Sequence, residues 1–210
     1  FDTDQAMGMN MVTIATQSIS QFIEKSTKAQ CLSVSGNFCI DKKPAWINFL
    51  GGRGKRVWAE VILKKEVVKE VLKTTPEKFF EVWLAKCMLG SVMSGSLGFN
   101  AHFANIVAAF YAATGQDLAH TVEGSMGITT SKVTKNGDLY VSVYLPAVMI
   151  GTVGGGTKLK TKQEALSIIG AKTSVELAEV LGGAVLAGEI SLLASLAEGT
   201  LACAHEKLGR

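Results

Sequence analysis

The sequence is short of the residues that usually announce chemistry by their spacing. It has 3 prolines, 4 cysteines and 3 histidines among 210 residues. Cys31, Cys39, Cys87 and Cys203 form no C-x-x-C pair, and His102, His120 and His205 show no metal-ligand spacing. The common zinc modules are therefore excluded and no metal site is assigned. Reduced, mostly buried thiols are the expectation. Charge of one sign is also lacking: the formal net charge is +3, with Lys and Arg scattered. That argues against a nucleic-acid footprint, while a local positive pocket for an anion stays open. There is no long apolar run free of charge. The nearest, Val175 to Ala197, is interrupted by Glu176, Glu179 and Glu189, so it reads as a buried helix of a cytoplasmic protein rather than a membrane span. No signal peptide opens the chain, and Phe1 in place of a start methionine suggests a piece of something longer, with an upstream anchor left open.

What is present is an apolar fraction of 48% with 22 glycines, enough for a packed α/β or α+β core in one large domain or two small ones. Apolar residues Val12, Ala15, Ile19, Phe22 and Ile23 keep helical spacing and predict a helix ending near Lys28. Cys31 to Val34 reads as a short strand. Arg56 to Leu63 alternates as a strand with one face more buried. Lys65 to Lys73 predicts a helix, and Thr75-Pro76 restarts one, with Thr75 as N-cap and Phe79, Phe80 and Trp83 facing inward as far as Lys86. Gly90 to Gly98 reads as a flexible stretch leading to an N-cap at Asn100. Ala101 to Thr114 is apolar nearly all round, as a buried central helix should be. Lys135-Asn136-Gly137 predicts a hairpin between two strands. A helix over Thr161 to Ile169 follows, and then a capping box at Thr173 to Glu176 opening the last long helix. Gly182, Gly183 and Gly188 cost that helix stability, for which close approach of another helix is the usual reason.

Two stretches suggest ligand contact. Asp41-Lys42-Lys43-Pro44 sets a carboxylate beside two cations in a non-helical loop; a solvated surface turn and an anion site are equally compatible with it. Gly151 to Thr157 holds three consecutive glycines that let backbone approach a ligand, but it lacks the Gly-Lys-Ser/Thr ending of a phosphate loop.

Six stretches occur in one order along nearly the whole chain: AMGMNM (Ala6 to Met11), VSGNFCIDKKP (Val34 to Pro44), GSLGFNAHFANIV (Gly95 to Val107), GQD (Gly115 to Asp117), IGTVGGGT (Ile150 to Thr157) and LAGE (Leu186 to Glu189). Together they resemble 3-hydroxy-3-methylglutaryl-CoA (HMG-CoA) reductase of class I, with an archaeal flavour in EGSMGIT and HEKLGR. The resemblance implies an α+β fold. Residues 1–33 would be the tail of a small, ferredoxin-like NADP-binding domain, 34–46 a substrate loop and 47–210 most of the large catalytic domain. It implies reduction of HMG-CoA to mevalonate and CoA by two hydride transfers from NADPH. The residues matching the family's catalytic groups are Lys42, which polarises the carbonyl, Asp117, which tunes that lysine, and His205, which protonates the departing thiolate. Matching substrate-binding positions are Ser35, Asp41, Lys43, Lys86, His102, Asn105 and Leu192. Gln5, Ala6, Met7, Gly8, Met9, Asn10 and Met11, with Gly155 and Gly156, match cofactor contacts. Cys31, Leu32, Ser33 and Val71 fall near CoA. A homo-oligomer with shared active sites is implied, and no nucleic acid. The chain departs from the family pattern at Asp4, Gln5, Cys87 and His120, among others. A catalytic glutamate, a substrate arginine and the main CoA-binding segment would precede Phe1. The alternative reading is a catalytically inactive remnant that binds ligand or assembles with a partner chain.

Overall fold

The structure, a computed structural model, describes residues 2–201 together with 206 and 207. Cys203 and His205 therefore lie outside the described residues. The organising unit is a three-stranded antiparallel sheet of order β1-β3-β2, built from β1 (Lys55–Leu63), β2 (Ile128–Val133) and β3 (Leu139–Val148). Alternation decides its two faces. Val57 in β1, Val141, Val143 and Leu145 in β3, and Thr129 and Ser131 in β2 point into the core. The outer face carries Trp58 stacked on Tyr144 with ring centroids 4.4 Å apart, directly opposite each other in the β1–β3 register. The predicted hairpin is present: Val133 pairs with Leu139, and Gly137 takes a left-handed φ of 80° in the turn.

The inner face is covered by α9 (Ser174–Glu198), with α4 (Pro76–Trp83) and α6 (Phe103–Thr114) packed beside it; the short α7 (Thr121–Gly124) and α8 (Lys160–Ile169), the latter as predicted, pack on α6. Two of the three predicted N-caps form, at Thr75 and Thr173; α6 instead starts at Phe103 after His102, with the Asn100 side chain accepting from the Phe103 amide at 3.1 Å. The Thr75 hydroxyl accepts from the Lys78 amide, and Thr173 with Glu176 makes the reciprocal capping box. Among the described residues α9 is the one helix long and apolar enough to cross a membrane, with a mean hydropathy of 1.8. Its packing is that of a core helix: Leu177, Leu181, Val185 and Leu193 are fully buried, and so is Glu189. That carboxylate accepts from the Ala101 amide at 2.8 Å, the His102 amide at 2.7 Å and the Thr129 hydroxyl at 2.5 Å. It thereby ties the start of α6 to β2 and α9.

Several expectations need correction. α1 (Met9–Ser26) forms, but none of its residues is buried, because no described element covers its apolar side. Cys31 to Val34 forms no strand: it lies in an exposed loop with no neighbouring edge to pair with. Two of the thiols expected to be buried, Cys31 and Cys39, are exposed, while Cys87 is buried, and burial pushes its thiol up to about 12. The helix α3 (Lys65–Glu70) stops short of Lys73, which takes a left-handed φ of 56°. Gly90 to Gly98 is only partly loop. The helix continues past α4 through a π-helical segment, Leu84–Gly90, into α5 (Ser91–Met93). α6 is buried along Phe103, Val107, Tyr111 and Thr114, whereas Asn105, Ala109 and Ala112 are exposed, so it is central but open on one side. Gly182 faces a strand rather than a helix: a Cβ there would stand 2.5 Å from Val57 Cγ1. Gly188 does face a helix, through Ile106 of α6, and Gly183 meets nothing within 4 Å.

Candidate active site

The site begins at the loop carrying Asp41 and Lys42. Asn48, fully buried in α2 (Trp46–Gly51), donates from one amide nitrogen to the carbonyls of Ile40 and Lys43, each at 2.9 Å. This pins both ends of the loop. Lys42 itself is held at a left-handed φ of 54°, with its amide donating to Glu123 Oε1 at 3.3 Å. In this conformation its ammonium meets Asp117 Oδ2 at 2.7 Å. The two groups are 40% and 39% exposed, so the pair is reachable by a ligand. The Asp117 hydrogen bond holds the Lys42 ammonium above its ordinary value despite some burial. Burial pushes the Asp117 carboxyl up, but the Lys42 hydrogen bond, the Ala119 amide and the nearby positive charges outweigh it and hold it low. Both shifts favour the charged forms, so the pair is an ion pair across the neutral range.

Behind it lies a buried charge network. Arg53 reaches Asp41 Oδ1 at 2.6 Å and Glu123 Oε1 at 3.2 Å, and His120 Nδ1 sits 2.7 Å from the same Glu123 oxygen. Asp41, His120 and Glu123 are the one carboxylate and imidazole cluster among the described residues close enough to hold a metal. The Arg53 guanidinium already lies between the two carboxylates, so the place of a cation is taken.

Two clefts flank this loop. The first, about 680 Å³, is lined by Ala6, Met7, Gly8, Asn10 and Met11, by Gly115 to Leu118, and by Gly154, Gly155, Gly156 and Thr157. It exists because two glycines cross. A Cβ on Gly115 would stand 2.6 Å from the Gly156 carbonyl carbon and oxygen, and one on Gly156 would stand 2.7 Å from the Gly115 oxygen. Gln116 locks the crossing by accepting from the Gly151 amide and donating to the Gly151 carbonyl, both at 2.9 Å. The N-terminal stretch is clipped to it through the amides of Thr152 and Val153, which donate to the Gln5 carbonyl. The second cleft, about 590 Å³, is lined by Pro44, Lys86, Ser91, Ser94, Ser96, Asn100, His102 and Ser125. The π-helical segment carries Lys86 to its rim, and His102 Nε2 is fixed 2.8 Å from the Gly188 carbonyl. Asn105 lies beside His102 at 3.5 Å, on the open side of α6.

Not every residue singled out in the sequence reaches these clefts. The Gln5 side chain is committed to the Ser174 amide at 2.6 Å, and Met9 Sδ lies 3.0 Å from Arg53. Asp41 is engaged by Arg53, and Lys43 folds back on its own loop, donating to the Asp41 carbonyl at 3.1 Å. Ser35, Cys31, Leu32 and Ser33 are exposed in the preceding loop. Val71 lines a separate apolar groove between α3 and α9. Leu192 is half-buried and lines neither cleft. Arg53, His120, Glu123 and Gln116 were not assigned roles from the sequence. The one signal for Arg53 was a cation set between glycines in Gly51-Gly52-Arg53-Gly54, and for the histidine its i,i+3 spacing to Glu123.

The architecture has a solved counterpart, described as the class II 3-hydroxy-3-methylglutaryl-CoA reductase from Streptococcus pneumoniae bound to NADPH in open conformations. The TM-score is 0.64 at 20% identity, covering 93% of this chain and 53% of that one; this likeness concerns the fold alone. Sequence comparison is more specific. The family profile described as hydroxymethylglutaryl-coenzyme A reductase matches residues 1–210. The chain is 52% identical to the 3-hydroxy-3-methylglutaryl-coenzyme A reductase of Pyrococcus abyssi over 219 aligned residues, covering 100% of this chain and 54% of that protein. It is 52% identical to the Methanothermobacter thermautotrophicus reductase, covering 53% of it, and 46% identical to reductase 1 of Gossypium hirsutum, covering 38%. The chain therefore belongs to the HMG-CoA reductase family. It spans about half the length of the archaeal relatives.

Proposed function

We propose that this chain supplies the carbonyl-activating part of an NADPH-dependent HMG-CoA reductase, which converts HMG-CoA to mevalonate and CoA by two successive hydride transfers. The observation that carries this reading is the Lys42–Asp117 ion pair of 2.7 Å, whose carboxylate lines the glycine-walled cleft. That cleft fits one end of a dinucleotide. Its volume lies within the usual range for small-molecule sites, and its glycine walls admit an aromatic ring and phosphates to backbone contact. When bound there, the nicotinamide supplies hydride. The chain's own residues do the rest. The Lys42 ammonium donates to the carbonyl oxygen and stabilises the charge that develops on it. Asp117 keeps that amine charged and aimed. Lys86, His102 and Asn105, around the second cleft, take the carboxylate and hydroxyl of the hydroxymethylglutaryl group. His205, outside the described residues, is assigned to protonating the thiolate. Residues 1–33 are read as the tail of a small cofactor domain, 34–46 as the substrate loop and 47–210 as the large domain.

The exposed apolar side chains of α1 and the following loop, Phe22 at 70% and Phe38 at 101%, support a homo-oligomer or a further part of the protein covering this end. They also favour the second reading, a chain that binds ligand without turnover.

The test is NADPH oxidation in the presence of HMG-CoA, using the full protein that carries this chain. Lys42→Ala is expected to lower turnover by roughly 10²-fold or more, with HMG-CoA binding retained in calorimetry. Unchanged turnover in Lys42→Ala would sink the assignment. Binding without turnover in the unmodified protein would select the second reading.

A further inference from the structure

His120 is fully buried on the 3₁₀ turn Leu118–His120 that begins one residue after Asp117. Its two ring nitrogens have different situations. Nδ1 is satisfied by Glu123 Oε1 at 2.7 Å. Nε2 is buried without a hydrogen-bond partner, and it faces Asp117 Oδ2 at 3.8 Å. A buried polar atom without a partner calls for an explanation. The group it faces at 3.8 Å is the carboxylate oxygen that also receives Lys42 at 2.7 Å.

The charges facing the ring come from every element around it. Asp41 Oδ1 is 3.7 Å from Nδ1, and Lys42 follows on the same loop. Arg53 precedes β1 and bridges Asp41 to Glu123. Asp117 caps the turn that carries His120, and Glu123 lies on the helical turn that follows, Thr121–Gly124. Tyr111 of α6, whose hydroxyl also lacks a partner, completes the set near Glu123. Three carboxylates and two permanent cations thus surround the ring, whose Nδ1 is bonded to one carboxylate and whose Nε2 is turned to another.

We propose that His120 is a positioning residue for the reaction. Locked by Glu123 through Nδ1, it presents Nε2 to Asp117 Oδ2, the oxygen that receives Lys42, and so fixes where that carboxylate holds the ammonium. This rests on the reading of Lys42 and Asp117 given above. Its chemical consequence runs through Asp117. The positive form of the ring is among the influences that hold the Asp117 carboxyl low, after burial, which opposes it, and the Lys42 and Ala119 hydrogen bonds. At the acid pH where a carboxylate titrates, an imidazole is ordinarily cationic. Loss of the ring therefore moves the Asp117 titration upward, and the pair with Lys42 breaks at a higher pH as acid is added.

The experiment compares His120→Gln and His120→Leu with the unmodified protein. Gln keeps an amide donor for Glu123 and removes the imidazole; Leu removes both. Carboxylate titration is followed by ¹³C NMR of aspartate-labelled protein, with the Asp117 signal assigned through Asp117→Asn. The midpoint for Asp117 is expected to rise in both variants. In the turnover assay His120→Gln is expected to lower kcat by roughly tenfold with KM for HMG-CoA unchanged. A merely structural histidine would lower thermal stability and leave the midpoint in place. An unmoved Asp117 midpoint in His120→Gln overturns the proposal, and this variant decides alone if His120→Leu does not fold. The titration needs no turnover, so it answers even where HMG-CoA is not reduced.

Discussion

α1, with an apolar stripe, and α9, apolar nearly all round, meet opposite fates. α9 crosses the sheet, buries Leu177, Leu181, Val185 and Leu193 along one side and carries a fully buried glutamate with three donors. α1 buries nothing: Ile14 is 69% exposed, Ile19 56% and Phe22 70%. Hydrophobic spacing says which side of a helix wants cover. Whether the cover exists depends on surfaces the helix does not itself contain. The body around α9 is self-sufficient, whereas the N-terminal stretch is attached to it mainly through the backbone and side chain of Gln5 and the contact of Met9 with Arg53.

Substitutions sharpen that contrast. Glu189→Ala strikes the body hardest. It strands the Ala101 and His102 amides and the Thr129 hydroxyl in a dry interior, and a loss on the order of 3–5 kcal/mol is expected in denaturant unfolding. A loss below about 1 kcal/mol would show that water reaches this point and that the body is looser than described. Next comes a paired test on α9. Gly182→Ala forces Val57 to move and is expected to cost about 1–3 kcal/mol. Gly183→Ala meets nothing within 4 Å and is expected to raise stability by roughly 0.5–1 kcal/mol through helix propensity. The smallest effect belongs to α1: Phe22→Ala is expected to change unfolding free energy by no more than about 0.5 kcal/mol. If it costs as much as a core deletion, roughly 3–5 kcal/mol, α1 is covered in solution and the contrast between the two helices collapses.

Much of the scaffold could be read from local chemistry. Thr75-Pro76 and Thr173 to Glu176 start helices by satisfying amides within one turn, so their signals are complete in four residues. Asn136-Gly137 likewise marks its own turn. The π-helical segment at Leu84–Gly90 left no such mark, since its extra residue per turn depends on how Trp83 and Cys87 lodge in the core. One cleft was legible in part through motifs, because the glycines at 115 and 154–156 and the stretch from Ala6 line it together. The network behind Lys42 was not. Arg53 reaches Glu123 across 70 residues of chain and the Lys42 amide reaches it across 81, and no pattern of neighbours predicts such pairings. Lys43 shows the converse. Adjacent to Lys42 and identical in type, it turns the other way because Lys42 alone is left-handed.

That left-handed backbone has a consequence for how the protein can change. A lysine at φ 54° sits where glycine is at ease and any residue with a Cβ is strained, by roughly 1 kcal/mol. Selection for robustness alone would drift this position toward glycine, deleting the amine while improving the fold. Lys42→Gly should therefore be the more stable and Lys42→Ala the less stable of two variants that both lack the amine. On the role proposed above, the stability difference between those two variants measures how much the fold gives up at a single residue to hold an ammonium beside Asp117.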